Sequence, residues 1–360
     1  MKNYHYSYTT LLEAVTTIFS HQGLVIHLAR SKALTWLLQG LLLMRQATLS
    51  AMGRGIALIN EEKTLMSQLQ RAHRLMKNDD FDAWELASAL FGYATQNLKR
   101  VLIAADWTDD GEYKVLEASL VIEGRAIPLY CLAVHKDEYK GRQTTLELTL
   151  WYALMAMRRE GQVLVVKADR GFAKFDWLGQ CPRYPWMHLV VRLKANTILT
   201  WDATTAPLRE WPLMKGERVE IEQALLGREQ EVVSGVCLAH LGEEGSSTLY
   251  LACAGEDKEL AIEEYSKRAW VEQQNRDLKN GFVWCYARLA TAARIERLWV
   301  VLGLAFYISY CNESVQESEF AARLSRRYKD GRKDLSWLSL AKCAALAGKC
   351  EVELRPLAAQ

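Results

Sequence analysis

Two aspartates stand where an α/β sheet commonly does its chemistry. Residues 101–105 form a continuous apolar run that ends in Asp106, and residues 162–168 form a second that stops at Asp169. Each reads as a buried strand, and the C-terminal edge of such strands is where open sheets usually bind ligands. A lone Asp there is commonly a turn or cap residue. Two on neighbouring strands bring carboxylates close enough to repel unless a proton or a cation intervenes, and a hard cation with oxygen ligands meets that need. The third element is the segment 265–279. At about 100° per residue, Tyr265, Arg268, Glu272, Arg276 and Lys279 share an arc of about 80°, so one helix face carries a tyrosine, an acid and three bases. A solvated face, with Arg268 and Glu272 as an ordinary i,i+4 pair, fits that spacing equally well.

The elements that must position these residues follow from periodicity. The first hundred residues read as helical: Leu11, Leu12, Val15, Ile18 and Phe19 recur at helical spacing, as do Leu34, Trp36, Leu37, Leu41 and Leu42 in the segment 31–45. The stretch 48–56 follows with a Thr/Ser start and small residues, in a helix-turn-helix-like cadence. A third helix fits 61–76, with Arg71, His73, Arg74 and Lys77 near its end; a plain helical bundle explains all of this as well as a DNA-reading domain does. From residue 100 the pattern turns to strands at 101–105, 112–123 and 125–134, with a hairpin turn at 123–124. A helix over 144–159, the strand 162–168, a short helix over 172–178 and a strand over 188–193 come next.

Three antiparallel strands followed by helix-linked parallel ones is the order of an RNase H-like domain with a mixed five-stranded sheet. Residues 195–255 break the rhythm with β-like runs at 218–221, 231–239 and 248–254, which reads as an insertion. A strong helix over 258–279 and helices over 290–310, 317–328 and 335–347 complete the chain. The expected division is a helical N-terminal DNA-binding domain (1–98), the first part of the α/β core (99–194), a β-rich insertion (195–256), the last part of the core with the Glu272 helix (257–300), and a helical C-terminal region for dimer or DNA contacts (301–360).

Composition narrows the class. Half of the 360 residues are hydrophobic and 24% are charged, which excludes a disordered, collagen-like or low-complexity chain. With 45 Lys and Arg against 43 Asp and Glu, the molecule is no polycation, so an anionic partner must meet a local patch. Residues 265–349 supply one, with 15 basic against 8 acidic side chains. Its densest run is Arg323, Arg326, Arg327, Lys329, Arg332 and Lys333; a solvated basic helix and loop is the plainer account. The first six residues are polar and read as no signal peptide, and the apolar stretch 298–310 is too short to span a bilayer. The eight cysteines are scattered without a CxxC pair, as expected of reduced core cysteines in the cytoplasm.

The arrangement resembles a known family. Tyr265, Arg268, Glu272 and Lys279 match the tyrosine–arginine–glutamate–lysine signature of the insertion-sequence-four family of bacterial transposases. The run from Asp106 to Asp109 resembles the family's first catalytic block, and that from Asp169 to Phe172 its second. The stretches 48–54 and 71–78 resemble the end-binding region of compact members.

The resemblance implies a cut-and-paste transposase whose Asp106, Asp169 and Glu272 hold two Mg²⁺ ions, with Mn²⁺ as a substitute. It would cut and join by in-line displacement at phosphorus. Tyr265, Arg268 and Lys279 would hold DNA-end phosphates, and Arg276 shares their stripe. The implied partners are double-stranded DNA, as terminal inverted repeats and target, and a second copy of the chain in a synaptic dimer; the setting is the bacterial cytoplasm at the nucleoid, with no membrane. Relatives that pass through a DNA hairpin place a Trp on the last strand before the signature helix. Here that strand has none, which leaves Tyr250, Trp201 and Trp211 as the aromatics to stack on a flipped base. The rival readings are an RNase H-like nuclease or resolvase and a transposase-derived DNA-binding protein that no longer cuts.

Overall fold

The computed structural model describes residues 6–24, 26–60, 64–122, 125–172, 178, 181–227, 231–239, 248–255, 258–284, 287–311 and 354–357. Five helices come first: α1 (Tyr8–His21), α2 (Leu28–Met44), α3 (Leu49–Ile59), α4 (Leu65–Lys77) and α5 (Ala83–Ala94). Ser7, Thr48, Thr64 and Asp82 each accept a backbone N–H at the start of α1, α3, α4 and α5, satisfying a donor that the first turn leaves over. The cadence predicted at 48–56 is α3. It is mainly a core helix, with Leu49, Ala51, Met52, Gly53, Gly55 and Ile56 buried. A Cβ on Gly55 would come 2.8 Å from the Gly40 carbonyl oxygen, so small residues set the approach of α2 and α3. Arg54 on α3 and His73, Arg74 and Lys77 on α4 face solvent.

The α/β part follows as β1 (Arg100–Asp110), β2 (Tyr113–Ile122), β3 (Arg125–His135), α6 (Lys136–Tyr139), α7 (Gln143–Met157), β4 (Val163–Ala168) and β5 (Met187–Arg192). β1, β2 and β3 pair antiparallel; β4 lies parallel to β1, and β5 parallel to β4. Connection length explains the difference, since a two-residue link returns the chain antiparallel and a helical crossover returns it parallel. In the predicted helix over 172–178, Arg170–Phe172 form a 3₁₀ turn, while residues 173–177 lie outside the described residues.

The predicted insertion contributes β6 (Ile198–Trp201), β7 (Thr204–Pro207), β8 (Arg218–Leu226), β9 (Glu231–Ala239) and β10 (Leu249–Ala254). It does not stand apart from a five-stranded sheet. β10 pairs antiparallel with β5, from Leu251↔Arg192 to Ala254↔Leu189, and the whole forms one ten-stranded mixed sheet in the order β3-β2-β1-β4-β5-β10-β9-β8-β6-β7. The physical reason is the edge of β5: its unpaired N–H and C=O groups are a ready template for another strand.

Three helices close the described chain: α8 (Lys258–Tyr265), α9 (Ala269–Arg276) and α10 (Ala292–Cys311). The apolar stretch 298–310 is the buried heart of α10, which packs against β3. A Cβ on Gly303 would collide with the Pro128 carbonyl. Because α10 runs through residue 300, the expected boundary between 257–300 and 301–360 falls inside a helix. Among the described residues no helix is long and apolar enough to cross a membrane, and Cys131, Cys181, Cys237, Cys253 and Cys311 are buried. The turn at 123–124, the helices expected at 317–328 and 335–347, and the basic run from Arg323 to Lys333 lie outside the described residues.

Candidate active site at the carboxylate edge of the sheet

The parallel ladder between β1 and β4 runs from Arg100↔Val163 to Ala105↔Ala168. Asp106 and Asp169 are the next residue on each strand, neighbours across a strand spacing of about 4.8 Å. The apolar run predicts that β1 ends at Asp106. It continues to Asp110, because residues 106–110 keep pairing with β2, from Asp106↔Glu117 to Asp110↔Tyr113. Asp106 is therefore held inside a strand on its β2 side while its β4 side opens at the sheet edge. Its Oδ1 accepts the Trp107 backbone N–H at 2.9 Å.

The helix predicted over 258–279 is realised in four pieces. Between α8 and α9 lies a 3₁₀ turn, Ser266–Arg268, and α9 runs into a π turn, Asp277–Gly281. The backbone stays right-handed at the junctions Tyr265, Arg268 and Arg276, so the path continues while the winding changes. Side chains three apart eclipse in a 3₁₀ turn, which stacks Arg268 over Tyr265, both toward the sheet edge. The Tyr265 hydroxyl donates to the Ala168 carbonyl at 3.3 Å, and burial pushes that phenol well above its ordinary pKa.

Arg268 then reaches all three acids. Its Nη2 lies 3.0 Å from Asp106 Oδ2 and 3.7 Å from Asp169 Oδ2, and its Nη1 lies 3.5 Å from Glu272 Oε1. Residues 106, 169 and 272, far apart in sequence, converge on one guanidinium. Burial raises the Asp106 carboxyl above its ordinary pKa, against the opposing pull of Arg268 and the Trp107 N–H. The Glu272 side chain is 58% exposed, so the cluster opens to solvent on that side. Among the described residues no three Asp, Glu, His or Cys side chains are grouped so as to hold one metal ion; the guanidinium stands on the ground between the carboxylates.

The chain matches no protein-family model and no curated protein. Its likeness to the insertion-sequence transposases rests on the residues quoted above.

Sequence reasoning passes over the residues that hold this cluster in place. Lys167, two positions before Asp169, is fully buried and donates to Glu264 Oε2 at 2.8 Å; Arg100 Nη2 meets the same oxygen at 2.8 Å. Burial alone would raise the Glu264 carboxyl, but the hydrogen bonds from Arg100 and Lys167 outweigh it and leave it below its ordinary pKa. A lysine inside an otherwise apolar strand was the available signal. Glu117, fully buried across from Asp106, accepts from Asn275 Nδ2 at 2.7 Å and Gln274 Nε2 at 3.3 Å, tying β2 to α9. Burial, together with the nearby Asp106 charge, pushes its carboxyl up to about 8, against the Asn275 hydrogen bond and the cations Arg268 and Lys279. Glu147 Oε1 accepts from Trp107 Nε1 at 3.1 Å and Gln143 Nε2 at 2.7 Å. Gln143 also reaches the Gly171 carbonyl, so α7 braces the residues following both aspartates.

The remaining candidates separate by position. Arg276 and Lys279 are exposed; Arg276 ends α9 one turn beyond Glu272, and Lys279 lies in the π turn that follows. Tyr250 lies near the acid-bearing edge, its carbonyl accepting the Leu193 N–H, two strands from β4. Its ring packs on the opposite sheet face from its neighbours Leu249 and Leu251, which share a face with Tyr265 and Val271, so it does not point at the carboxylates. Trp201 and Trp211 sit together, ring centroids 6.0 Å apart, but β6 is five strands from β4, about 24 Å along the sheet. The fold does not bring them to the carboxylates.

Proposed function

We propose that this chain is a DDE transposase with an RNase H-like core, one that cuts DNA at the ends of an insertion element and joins the 3′-hydroxyl ends to target DNA. The observation that carries the reading is the convergence of Asp106, Asp169 and Glu272 on a single positive group at the open edge of a sheet. The strand order β3-β2-β1-β4-β5, with β1 to β3 antiparallel and β4 and β5 parallel to β1, supports it.

These residues fit divalent ions by their donor set: three carboxylates gathered round a cation, with one side open to solvent. Bound there, a pair of divalent cations would make water or a DNA 3′-hydroxyl a better nucleophile and would stabilise the leaving oxygen. The protein's own part is to fix geometry. The β1–β4 register sets Asp106 beside Asp169, and the Lys167–Glu264 contact and the Tyr265 hydroxyl dock the Glu272 helix onto β4. Arg276 and Lys279, exposed on the segment that follows Glu272, grip the phosphates of the DNA end; Tyr265, turned toward Ala168, supports the helix from within. Function in the cytoplasm, and a dimer that holds two ends together, belong to the same reading.

The test is incubation of the purified protein with Mg²⁺ and DNA carrying the terminal repeats that flank its gene, with products resolved on a denaturing gel. Cuts confined to the repeat ends, as nicks, hairpins or blunt ends, support the transposase. Cutting without preference for those ends points to the nuclease reading. End-specific binding with no cutting points to the silent DNA-binding protein.

A further inference from the structure

Arg268 stands where a bound cation would stand. Its two terminal nitrogens serve different elements: Nη2 faces Asp106 and Asp169 at the sheet edge, and Nη1 faces Glu272 on its own helix. One side chain thereby links helix and sheet through the same oxygens the proposed reaction needs. A guanidinium keeps its charge at any working pH, whereas three gathered carboxylates repel when nothing positive lies between them. The pose is also incomplete. Two of the three contacts, at 3.7 and 3.5 Å, are longer than good N–H···O hydrogen bonds, and Arg268 Nε is buried with no hydrogen-bond partner. The group is held by charge more than by fitted hydrogen bonds, as a placeholder would be.

We propose that Arg268 is an internal counter-cation: it keeps Asp106, Asp169 and Glu272 together while the site holds no metal, and it competes with a divalent ion for the same oxygens. The inference rests on the reading of those three residues as a divalent-cation site. Arg268 is then a positioning residue whose displacement accompanies metal binding. Removing it leaves the carboxylates with unrelieved repulsion that an entering ion relieves, so affinity for the ion rises. An arginine with a merely structural role would have the opposite effect, since its loss would loosen the cluster and weaken metal binding.

The experiment is titration of the full-length protein with Mn²⁺ alone, by calorimetry and by loss of the free-ion paramagnetic signal, for wild type, Arg268→Ala, Arg268→Gln, Arg268→Lys and Asp106→Asn. Arg268→Ala and Arg268→Gln are expected to bind Mn²⁺ tenfold or more tighter than wild type, roughly what loss of one charge-assisted competitor implies. Arg268→Lys, which keeps the charge, stays near wild type. Circular dichroism establishes which variants are folded; should Arg268→Ala not fold, Arg268→Gln carries the test. Equal or weaker Mn²⁺ binding in the folded neutral variant overturns the inference. If wild type binds Mn²⁺ and Asp106→Asn does not, the cation-site reading survives that failure. If neither wild type nor the neutral variant binds Mn²⁺, both fall.

Discussion

Lys167 Nζ donates to Glu264 Oε2 at 2.8 Å within the sheet–helix interior, with the lysine fully buried. The contact joins the strand that ends at Asp169 to the helix that turns into Arg268. A buried ion pair gains little stability over a well-packed apolar pair, because desolvation offsets the attraction. What this pair supplies is placement, since it and the Tyr265–Ala168 bond fix the helix against β4 just where the acids must meet.

The two partners are not equivalent, because Arg100 also holds Glu264. Glu264→Leu takes the carboxylate from two cations and is expected to cost about 3–5 kcal/mol. Lys167→Met leaves Glu264 with Arg100 and costs less, and the double variant costs less than the sum of the single ones. Urea denaturation of the three variants checks the order; additive losses would show that the pair is not coupled.

Glu117 makes stability depend on pH in a stated direction. Its carboxyl titrates at about 8 in the folded chain, raised chiefly by burial, and near its ordinary value of about 4.3 when unfolded. The folded state therefore binds the extra proton between those values. This contribution to stability is fully present below about 4.3 and is lost as pH rises toward 8. Glu117→Gln keeps an amide in that place and removes the titration. Its melting temperature, compared with wild type between pH 5 and 8, is expected to fall less on raising the pH. Parallel curves would show that Glu117 does not titrate in this range.

Position decides between the aromatics. Tyr250→Ala is expected to slow end cleavage a few-fold, through lost packing beneath the acid-bearing edge two strands from β4 and not through base stacking, because its ring packs on the opposite sheet face. Trp201→Ala, five strands away beside Trp211, is expected to leave cleavage within about twofold of wild type. Single-turnover cleavage rates for the two variants check this, and a larger loss in Trp201→Ala reverses the assignment.

Much of this architecture is legible along the chain, for a local reason. The runs 101–105 and 162–168 are apolar enough to announce buried strands, and the helical period of residues 8–21 and 292–311 is plain. What depends on distant pairing is not. That β10 would close on β5 and make one sheet of the core and the insertion depends on an exposed edge no local pattern reveals. That β1 would continue past Asp106 depends on its ladder with β2. The candidate acids are legible because each follows an apolar run or lies on a polar helical stripe. The position of Arg268 among them is not: ideal helical geometry places Arg268 near Tyr265 and Glu272 but says nothing of a 3₁₀ turn that aims it at the sheet. Lys167 and Glu117 lie inside strands that read as core, and their roles emerge only from what packs against them.

The central claim is that Asp106, Asp169 and Glu272 act as one metal-dependent centre on DNA. Its most direct test is the rate of Mg²⁺-dependent end cleavage by Asp106→Asn, Asp169→Asn and Glu272→Gln, measured beside their affinity for the same DNA. The account predicts cleavage lost in all three while specific binding stays close to wild type. Wild-type cleavage in any one of them, with the protein folded and bound to its DNA, would contradict it.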